Sequence, residues 1–347
     1  MNLINRTLML IFLASVSVLL MPFAFKWELQ TSGVTARLRG VSAVNDRVAW
    51  ASGSGGTVLR TADGGVTWRK LTVTNDTLDF RDVDAIDAQT AYVLSIGNGP
   101  ASRIYKTADA GATWTEQFRS VDQLAFFDAM SFWDADHGLV IGDSIAGQFC
   151  IMTTQNGGIT WTRVPASALP PALPNEGAFA ASGTNIAVLG KSNAWIGTGA
   201  AGKARVLRTT DRGQTWKIAE TPIIAGPTAG IYSVAFRDAK HGVIVGGDYS
   251  KEGQAIDNLA LTSDGGVTWT LAKGLSGFRS AVAYVPESGV RMLVACGPSG
   301  ADYSMDDGRT WMVLDGPGFD TLSFAPGKAI GWGAGARGSL VRLTNTK

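Results

Sequence analysis

The chain has 347 residues, of which 43 are Gly and 17% are charged, a composition that excludes a disordered protein and favours many tight turns. Lys and Arg (30) nearly cancel Asp and Glu (29), so the global charge gives no general attraction to nucleic acid, and we expect no nucleic-acid partner. With two Cys and two His, neither a disulfide framework nor a four-ligand zinc site is expected, and we predict no metal and no cofactor.

The first 25 residues differ from the rest of the chain. One Arg precedes an uncharged stretch from Thr7 to Phe25, which ends at Lys26. This stretch is long enough to span a bilayer, but its Ser residues and Pro22 are more typical of a cleavable export signal. Residues 1–25 are therefore predicted to be a signal peptide or a membrane anchor. We expect an exported protein, periplasmic or extracellular, that contacts the membrane only through residues 7–25 if they are retained.

An eight-residue phrase, Ser/Thr-x-Asp-x-Gly-x-Thr-Trp, occurs six times after the leader, and we call it the box. Its copies start 42 to 55 residues apart, a period typical of a four-stranded unit. The acidic position is occupied in turn by Asp63, Asp109, Asn156, Asp211, Asp264 and Asp306. We predict a structural role, in which these side chains accept hydrogen bonds from backbone N–H groups of the turn. One turn cannot supply the six or more oxygen atoms that Ca²⁺ requires.

Units of this length with four strands each predict an all-β protein, a β-propeller. After the sixth box, three further strands are predicted at 319–324, 329–333 and 339–343. The missing fourth strand is predicted at 27–30, directly after the leader. The sequence therefore predicts a seven-bladed propeller over residues 26–347, in which the N-terminal strand closes the last blade.

The rare Cys and His residues are predicted to be structural. His137 and His241 occupy the same position of the repeat, directly before a Gly in a turn. Cys150 is predicted on the third strand of blade three and Cys296 on the second strand of blade six, too far apart to form a disulfide.

The boxes resemble Asp-box (BNR) repeats, and the chain after the leader resembles the photosystem II stability/assembly factor family. A similar pattern of an aromatic residue, an acidic turn and a Gly-bearing strand precedes the box at 131–143 and 234–248. The resemblance implies a seven-bladed propeller without catalytic activity, which binds a protein or a peptide segment and assists assembly of a membrane or envelope complex. We expect a monomer.

Aligning the starts of the innermost strands predicts one residue per blade at the mouth of the central channel, on the face opposite the boxes. These residues are Arg39, Arg81, Asp128, Phe179, Tyr232, Arg279 and Asp320. They are interpreted either as a solvated mouth in which Arg and Asp form ion pairs, or as a binding surface for a carboxylate, a sugar or a peptide segment. The loops 95–103 and 247–254 are predicted to border the same face.

The alternative function is an exported Asp-box glycoside hydrolase, sialidase-like or glucan-cleaving. In that case the three Arg residues would hold a sugar carboxylate, Tyr232 would be the nucleophile, and Asp128 or Asp320 the acid/base. The Arg-Ile-Pro signature that sialidases carry before the first box is absent, and glucan-cleaving relatives resemble paired propellers of twice this length. We therefore assign no catalytic residue, and favour a protein that is not an enzyme.

Overall fold

The structure is a computed structural model that describes residues 24–346 of the chain. Within this part, 28 strands form seven antiparallel sheets of four strands each, arranged in a ring as seven blades. The prediction of an all-β, seven-bladed propeller is confirmed. The predicted leader lies outside the described residues, apart from Ala24 and Phe25, where the first strand begins.

Blades 1 to 6 follow one another along the chain, and blade 7 combines the two ends. Blade 1 contains β2 (Leu38–Ala43), β3 (Ala49–Gly53), β4 (Thr57–Thr61) and β5 (Arg69–Leu71). Blade 2 contains β6 (Asp79–Ala85), β7 (Ala91–Ile96), β8 (Arg103–Thr107) and β9 (Thr115–Arg119). Blade 3 contains β10 (Phe127–Phe132), β11 (Gly138–Ile145), β12 (Gln148–Thr154) and β13 (Thr162–Arg163). Blade 4 contains β14 (Ile186–Leu189), β15 (Asn193–Gly197), β16 (Arg205–Thr209) and β17 (Lys217–Glu220). Blade 5 contains β18 (Ala229–Phe236), β19 (Gly242–Asp248), β20 (Leu259–Thr262) and β21 (Thr270–Leu271). Blade 6 contains β22 (Ala281–Tyr284), β23 (Leu293–Gly297), β24 (Gly300–Ser304) and β25 (Met312–Leu314). Blade 7 contains β26 (Thr321–Phe324), β27 (Ile330–Ala334), β28 (Leu340–Thr346) and, as its outermost strand, β1 (Ala24–Gln30).

The remaining regular elements are short. One-turn 3₁₀ helices lie in connecting loops at Gly99–Ala101, Ala166–Ala168, Tyr249–Lys251 and Ala336–Gly338. Among the described residues, no helix has the length and apolar character needed to cross a membrane.

Each box forms the turn between the third and fourth strands of its blade. In the first box, Oδ1 of Asp63 accepts from the backbone N–H of Thr67 at 2.9 Å, and Oδ2 accepts from its hydroxyl at 2.6 Å. The Thr61 hydroxyl oxygen accepts from the N–H of Gly65 at 2.8 Å, and Gly65 has a φ of +86° that favours glycine. The hydrogen bonds from the Thr67 hydroxyl and backbone lower the pKa of Asp63 to about 2. The turn therefore holds an ionised carboxylate.

The third box shows which part of this geometry is essential. Oδ1 of Asn156 accepts from the N–H of Thr160 at 2.9 Å, as an aspartate would, while its amide nitrogen donates to the Thr160 hydroxyl at 3.0 Å. An amide thus replaces the carboxylate because the turn requires an acceptor rather than a charge.

Both His side chains bond to the acidic residue of their own turn. Nδ1 of His137 lies 2.7 Å from Oδ1 of Asp134, and Nδ1 of His241 lies 2.9 Å from Oδ1 of Asp238. These contacts give each imidazole a local structural partner.

The hydrophobic core is divided among the contacts between neighbouring blades. In the described residues, seven clusters each combine residues of two adjacent blades, including the cluster that joins blade 7 to blade 1 through Trp332 and Leu38. The buried free thiols of Cys150 and Cys296 belong to two different clusters. Because each blade is stabilised by both neighbours, closure of the ring affects the stability of every blade.

Polar side chains near the axis also link the innermost strands. Hydroxyl or carboxylate oxygens on one innermost strand accept from backbone N–H groups on the innermost strand of the next blade. The pairs are Ser323 to Ala43 (3.1 Å), Ser42 to Ala85 (3.0 Å), Asp82 to Met130 (2.8 Å), Asp84 to Phe132 (2.9 Å) and Ser233 to Val282 (2.9 Å). These bonds satisfy backbone N–H groups on the free edge of each innermost strand.

The N-terminal strand closes blade 7 as predicted. β1 pairs with β28 in antiparallel register, with Trp27 opposite Leu343 and Gln30 opposite Leu340. The Gln30 side chain also joins blade 7 to the first box, because its amide nitrogen donates to the carbonyl of Gly64 and its oxygen accepts from the indole N–H of Trp68, each at 3.0 Å.

A segment before β14, which we call the inner loop (residues 177–185), crosses the central channel. Its Ser182 hydroxyl donates to the carbonyl of Ser280 in blade 6 at 2.7 Å, and its Ser182 carbonyl accepts from the hydroxyl of Thr321 in blade 7 at 2.9 Å. The Thr184 hydroxyl donates to Ser233 in blade 5 at 2.7 Å. Because the loop starts in blade 4 and bonds to blades 5, 6 and 7, it lies across the axis and fills the channel interior.

Candidate functional site

A central cavity of about 550 Å³ lies beside the inner loop, on the face opposite the boxes. Its rim is formed by loops between second and third strands, including Tyr249, Glu252 and Pro298. Six of the seven predicted mouth residues line it: Arg39, Arg81, Asp128, Phe179, Tyr232 and Asp320.

β-Bulges place four of these side chains in the cavity. In each of four innermost strands the pairing register shifts by one residue, and the residue skipped is Arg39, Arg81, Asp128 or Tyr232. A bulge leaves the extra residue unpaired and redirects its side chain, so the repeat presents a variable side chain to the channel in blades 1, 2, 3 and 5.

Phe179 reaches the cavity by a different route from the predicted one. Alignment of the repeats predicts Phe179 at the start of the innermost strand of blade 4, but that strand, β14, begins at Ile186. Phe179 belongs to the inner loop, which enters the channel ahead of the strand.

Arg279 does not line the cavity, which corrects its predicted position. Its side chain is 1% exposed, and its Nε donates to Oδ2 of Asp302 at 2.7 Å. Its terminal nitrogens donate to the carbonyl of Phe278 and to the hydroxyl of Ser276. The guanidinium is therefore held within blade 6 by a buried ion pair, and is not available to a ligand.

Arg37, which the sequence analysis did not select, takes the third cationic position. It forms two hydrogen bonds with Asp320, from Nε to Oδ2 at 2.8 Å and from Nη2 to Oδ1 at 2.7 Å. The Arg37 side chain is 42% exposed, whereas the Asp320 side chain is 2% exposed. Its position two residues before Arg39 was the available signal, because alternate residues of an extended chain point to the same side.

Among the three arginines that line the cavity, Arg39 and Arg81 have less charge compensation than Arg37. Nη1 of Arg39 donates to the carbonyl of Ala181 at 3.3 Å, its Nε is buried without a partner, and it forms no ion pair with a described residue. Burial, opposed by Asp320 and reinforced by Arg37 and Arg81, lowers the pKa of Arg39 to about 10, so it stays protonated at neutral pH.

Arg81 is held by one carboxylate and by the inner loop. Its Nε donates to Oδ2 of Asp79 at 2.9 Å, and its Nη1 donates to the carbonyl of Ala180 at 3.0 Å. The predicted ion pairs with Asp128 and Asp320 are absent. Arg81 pairs with Asp79, and Arg279 pairs with Asp302, while Asp320 pairs with Arg37. Arg39 and Asp128 form no ion pair with a described residue.

Aromatic rings form one wall of the cavity. Phe179 stacks on Tyr232 with ring centroids 4.0 Å apart and 7° between the planes, and Phe278 meets the edge of Tyr232 at 4.6 Å. Tyr232 is 2% exposed, and its hydroxyl donates to the carbonyl of Thr228 at 3.1 Å. Burial raises the pKa of Tyr232 above its usual value. The ring therefore presents an apolar surface, and its hydroxyl is not set up as a nucleophile.

Two carboxyl groups lie on the blade 3 side of the cavity. Asp128 is 2% exposed, its Oδ2 has no hydrogen-bond partner, and burial raises its pKa well above the usual range. Asp143, on the adjacent strand β11, also lines the cavity, and burial raises its pKa to about 6. The cavity thus has a basic side on blades 1 and 2, an acidic side on blade 3 and an aromatic wall.

No family model matches the sequence, and no curated protein matches it either. Among solved structures, the chain is similar to "YCF48 bound to D1 peptide", with a TM-score of 0.64 and 18% identity over 92% of this chain and 97% of that one. It is also similar to YCF48 from Cyanidioschyzon merolae, with a TM-score of 0.61 and 18% identity over 91% of this chain and 98% of that one.

A third similar structure is the GH74 xyloglucanase from Xanthomonas campestris, with a TM-score of 0.63 and 14% identity over 92% of this chain and 53% of that one. At these identities the similarities show the fold alone. For the fold, the resemblance to the photosystem II assembly factor family is confirmed.

Proposed function

We propose that this chain is an exported, non-catalytic propeller that binds a peptide segment of a partner protein in its central cavity, and that the partner belongs to a membrane or envelope complex. The observation that carries this proposal is the position of Arg39. Its guanidinium is half-buried, bears a full charge and has only a backbone carbonyl as partner, beside the stacked rings of Phe179 and Tyr232. A carboxylate next to an apolar side chain would satisfy both features.

The rim of the cavity suits an extended peptide. Tyr249 and Glu252 come from the long loop between β19 and β20, and both line the cavity. Loops of this kind adapt to a ligand while the blades beneath them stay fixed. The solved YCF48 structure with a bound D1 peptide supports the proposal by showing that a propeller of this fold holds a peptide.

The glycosidase alternative has less support from the geometry. Its three Arg residues do not converge, because Arg279 is bound to Asp302. Asp320 accepts two hydrogen bonds from Arg37, so both of its carboxyl oxygens are already engaged within the protein.

The test is an array of peptides that tile the exported and membrane proteins of the source cell, probed with the folded propeller. Peptides that bind are then measured by fluorescence anisotropy against the wild type and against Arg39→Ala/Arg81→Ala. We expect the double variant to lose at least about tenfold in affinity, because one charge-assisted hydrogen bond contributes about 1.5 to 3 kcal/mol.

The matched control is Arg47→Ala/Arg163→Ala, which removes two exposed Arg residues away from the cavity and should leave the affinity unchanged. Unchanged affinity together with a lower melting temperature in Arg39→Ala/Arg81→Ala would contradict the proposal. Release of sugar from xyloglucan or from sialosides by the wild type would contradict its non-catalytic part. Cell fractionation followed by N-terminal mass spectrometry tests the export.

A further inference from the structure

Asp128 and Asp143 are neighbours on blade 3. Asp128 is the residue skipped by the bulge in β10, and Asp143 follows Gly142, the pairing partner of Phe127 on β11. Both line the central cavity, two blades along the ring from Arg39. The two carboxyl groups also interact electrostatically, because the charge of Asp143 contributes to the raised pKa of Asp128.

Asp128 differs from the other buried carboxyl groups near the channel. Asp82 accepts from the N–H of Met130, while Asp302 and Asp320 bind Arg279 and Arg37. No hydrogen bond reaches the Asp128 side chain within the described residues, and no Lys, Arg or His of that part of the chain lies within ion-pair distance of Asp128 or Asp143. A buried carboxyl without a donor is costly and rare, and carboxyls in such surroundings cluster at functional sites.

We infer that Asp128 and Asp143 form a subsite for the cationic side chain of a Lys or Arg in the bound peptide. An ammonium or guanidinium group would donate to both carboxylates, supplying the donors that the protein itself does not provide. This inference rests on the proposed function and adds the chemistry of the ligand: a basic side chain on blade 3 and an acidic group at Arg39.

The surroundings of the two carboxyls fit a long basic side chain better than a metal ion. Ile96, Phe126 and Ala178 line the same cavity and offer apolar surface to an aliphatic stem. In the described residues no group of three or more His, Cys, Asp or Glu side chains is placed to hold a metal, and two carboxylates alone do not complete a coordination sphere.

The test separates the two sides of the cavity with small probes. Hexylammonium carries only the cationic group and a stem, and hexanoate carries only the carboxylate; their dissociation constants are measured by ligand-observed NMR titration at pH 8. We expect Asp128→Asn/Asp143→Asn to weaken hexylammonium binding at least tenfold and to leave hexanoate binding unchanged. Arg39→Ala/Arg81→Ala should show the reverse pattern.

Controls keep the result independent of folding. Asn has the shape of a protonated aspartic acid, so the melting temperature of the Asp128→Asn/Asp143→Asn variant should not fall. Asp143→Asn alone is the second variant, because Asp143 is only partly buried. Asp136→Asn/Asp315→Asn removes two exposed carboxylates and should not affect either probe.

The outcomes distinguish the inference from the proposed function. Equal binding of hexylammonium to the wild type and to Asp128→Asn/Asp143→Asn would overturn the subsite, even if array peptides still require Arg39 and Arg81. Loss of hexylammonium binding in that variant, with no array peptide bound by the wild type, would support the subsite and contradict the peptide-binding function.

Discussion

Aspartate side chains occupy three environments in this propeller, which differ in the hydrogen-bond donors and cations around the carboxyl group. In the boxes, hydroxyl and backbone donors favour the ionised form. Beside the channel, Asp320 and Asp302 form ion pairs with Arg, whereas Asp82 and Asp128 are buried and Asp84 is partly buried, each with few donors or none. The same residue type therefore serves as a turn acceptor, as an ion-pair partner and as a group that favours its proton.

The box turn predicts a difference between Asp211→Ala and Asp211→Asn. Asp211 accepts from the Thr209 hydroxyl at 2.6 Å and from the N–H and hydroxyl of Thr215 at 2.9 and 2.6 Å. We expect Asp211→Ala to lower the free energy of unfolding by about 1 to 2 kcal/mol through lost hydrogen bonds. Asp211→Asn should cost less than half as much, because Asn156 already fills this position in the third box. Urea denaturation measures both, and equal losses would contradict the acceptor role.

The buried carboxyls predict that stability decreases from pH 5 to pH 8. Burial raises the pKa of Asp82 to about 7 and that of Asp84 to about 6, against about 4 in an unfolded chain. A pKa that is higher in the folded state gives stability that is complete below pH 4 and is lost as the pH rises through 6 and 7. Box aspartates such as Asp63, with a lowered pKa, act in the opposite direction but only below about pH 4.

Thermal melts of Asp82→Asn/Asp84→Asn should show a smaller decrease between pH 5 and pH 8 than the wild type, with the remainder due to Asp128 and Asp143. The exposed Asp315→Asn is the control and should follow the wild-type curve. An unchanged slope in the double variant would show that these carboxyls do not bind their protons more tightly in the folded state.

At the scale of single elements, the innermost strand does two things at once. Its regular residues pair with the second strand, while its bulged residue points into the cavity, as with Arg39 between Leu38 and Gly40. The second strand accommodates this arrangement with a glycine. A Cβ on Gly53 would lie 2.3 Å from the carbonyl oxygen of Arg37.

Gly53→Ala is therefore expected to lower both stability and ligand affinity. The backbone at Arg37 must move to accept the methyl group, at a cost of about 1 to 3 kcal/mol, and the Arg37–Asp320 pair moves with it. Gly202→Ala is the matched control, because no atom lies within 4 Å of its added Cβ. Melting temperature and peptide anisotropy measure the two effects. Equal melting temperatures and affinities for Gly53→Ala and Gly202→Ala would show that the backbone at Arg37 moves away from the added methyl group at little cost.

The cavity was only partly predictable from the sequence. Alignment of repeats located Arg39, Arg81, Asp128 and Tyr232, because these four blades place a bulge at the same point of the innermost strand. It could not locate features that occur in one blade only. The inner loop has no counterpart in other repeats. The position of the Arg279 side chain depends on Asp302, which lies on a different strand of the blade.

At the scale of the whole molecule, ring closure could be predicted because it follows from counting strands. Six boxes close six blades, and the three strands after the last box need a fourth. β1 supplies it, and Trp27 adds packing against Phe319, with ring centroids 5.0 Å apart. Without β1, β28 would become an exposed edge, and the Gln30 contacts to the first box would be lost.

Closure by β1 predicts a large difference between two deletions. Removal of residues 1–25 keeps the strand from Lys26 onwards, whereas removal of residues 1–31 takes away all of β1. We expect the longer deletion to lower the melting temperature by more than about 5 °C relative to the shorter one, because it removes a paired strand and the Trp27 packing. A synthetic peptide of residues 24–31, added in excess, should raise the melting temperature of the longer deletion and not of the shorter one. If the longer deletion does not fold, Trp27→Ala in the full chain provides the same comparison with a smaller decrease. Equal melting temperatures for the two deletions, with no effect of the peptide, would mean that seven blades remain joined without the N-terminal strand.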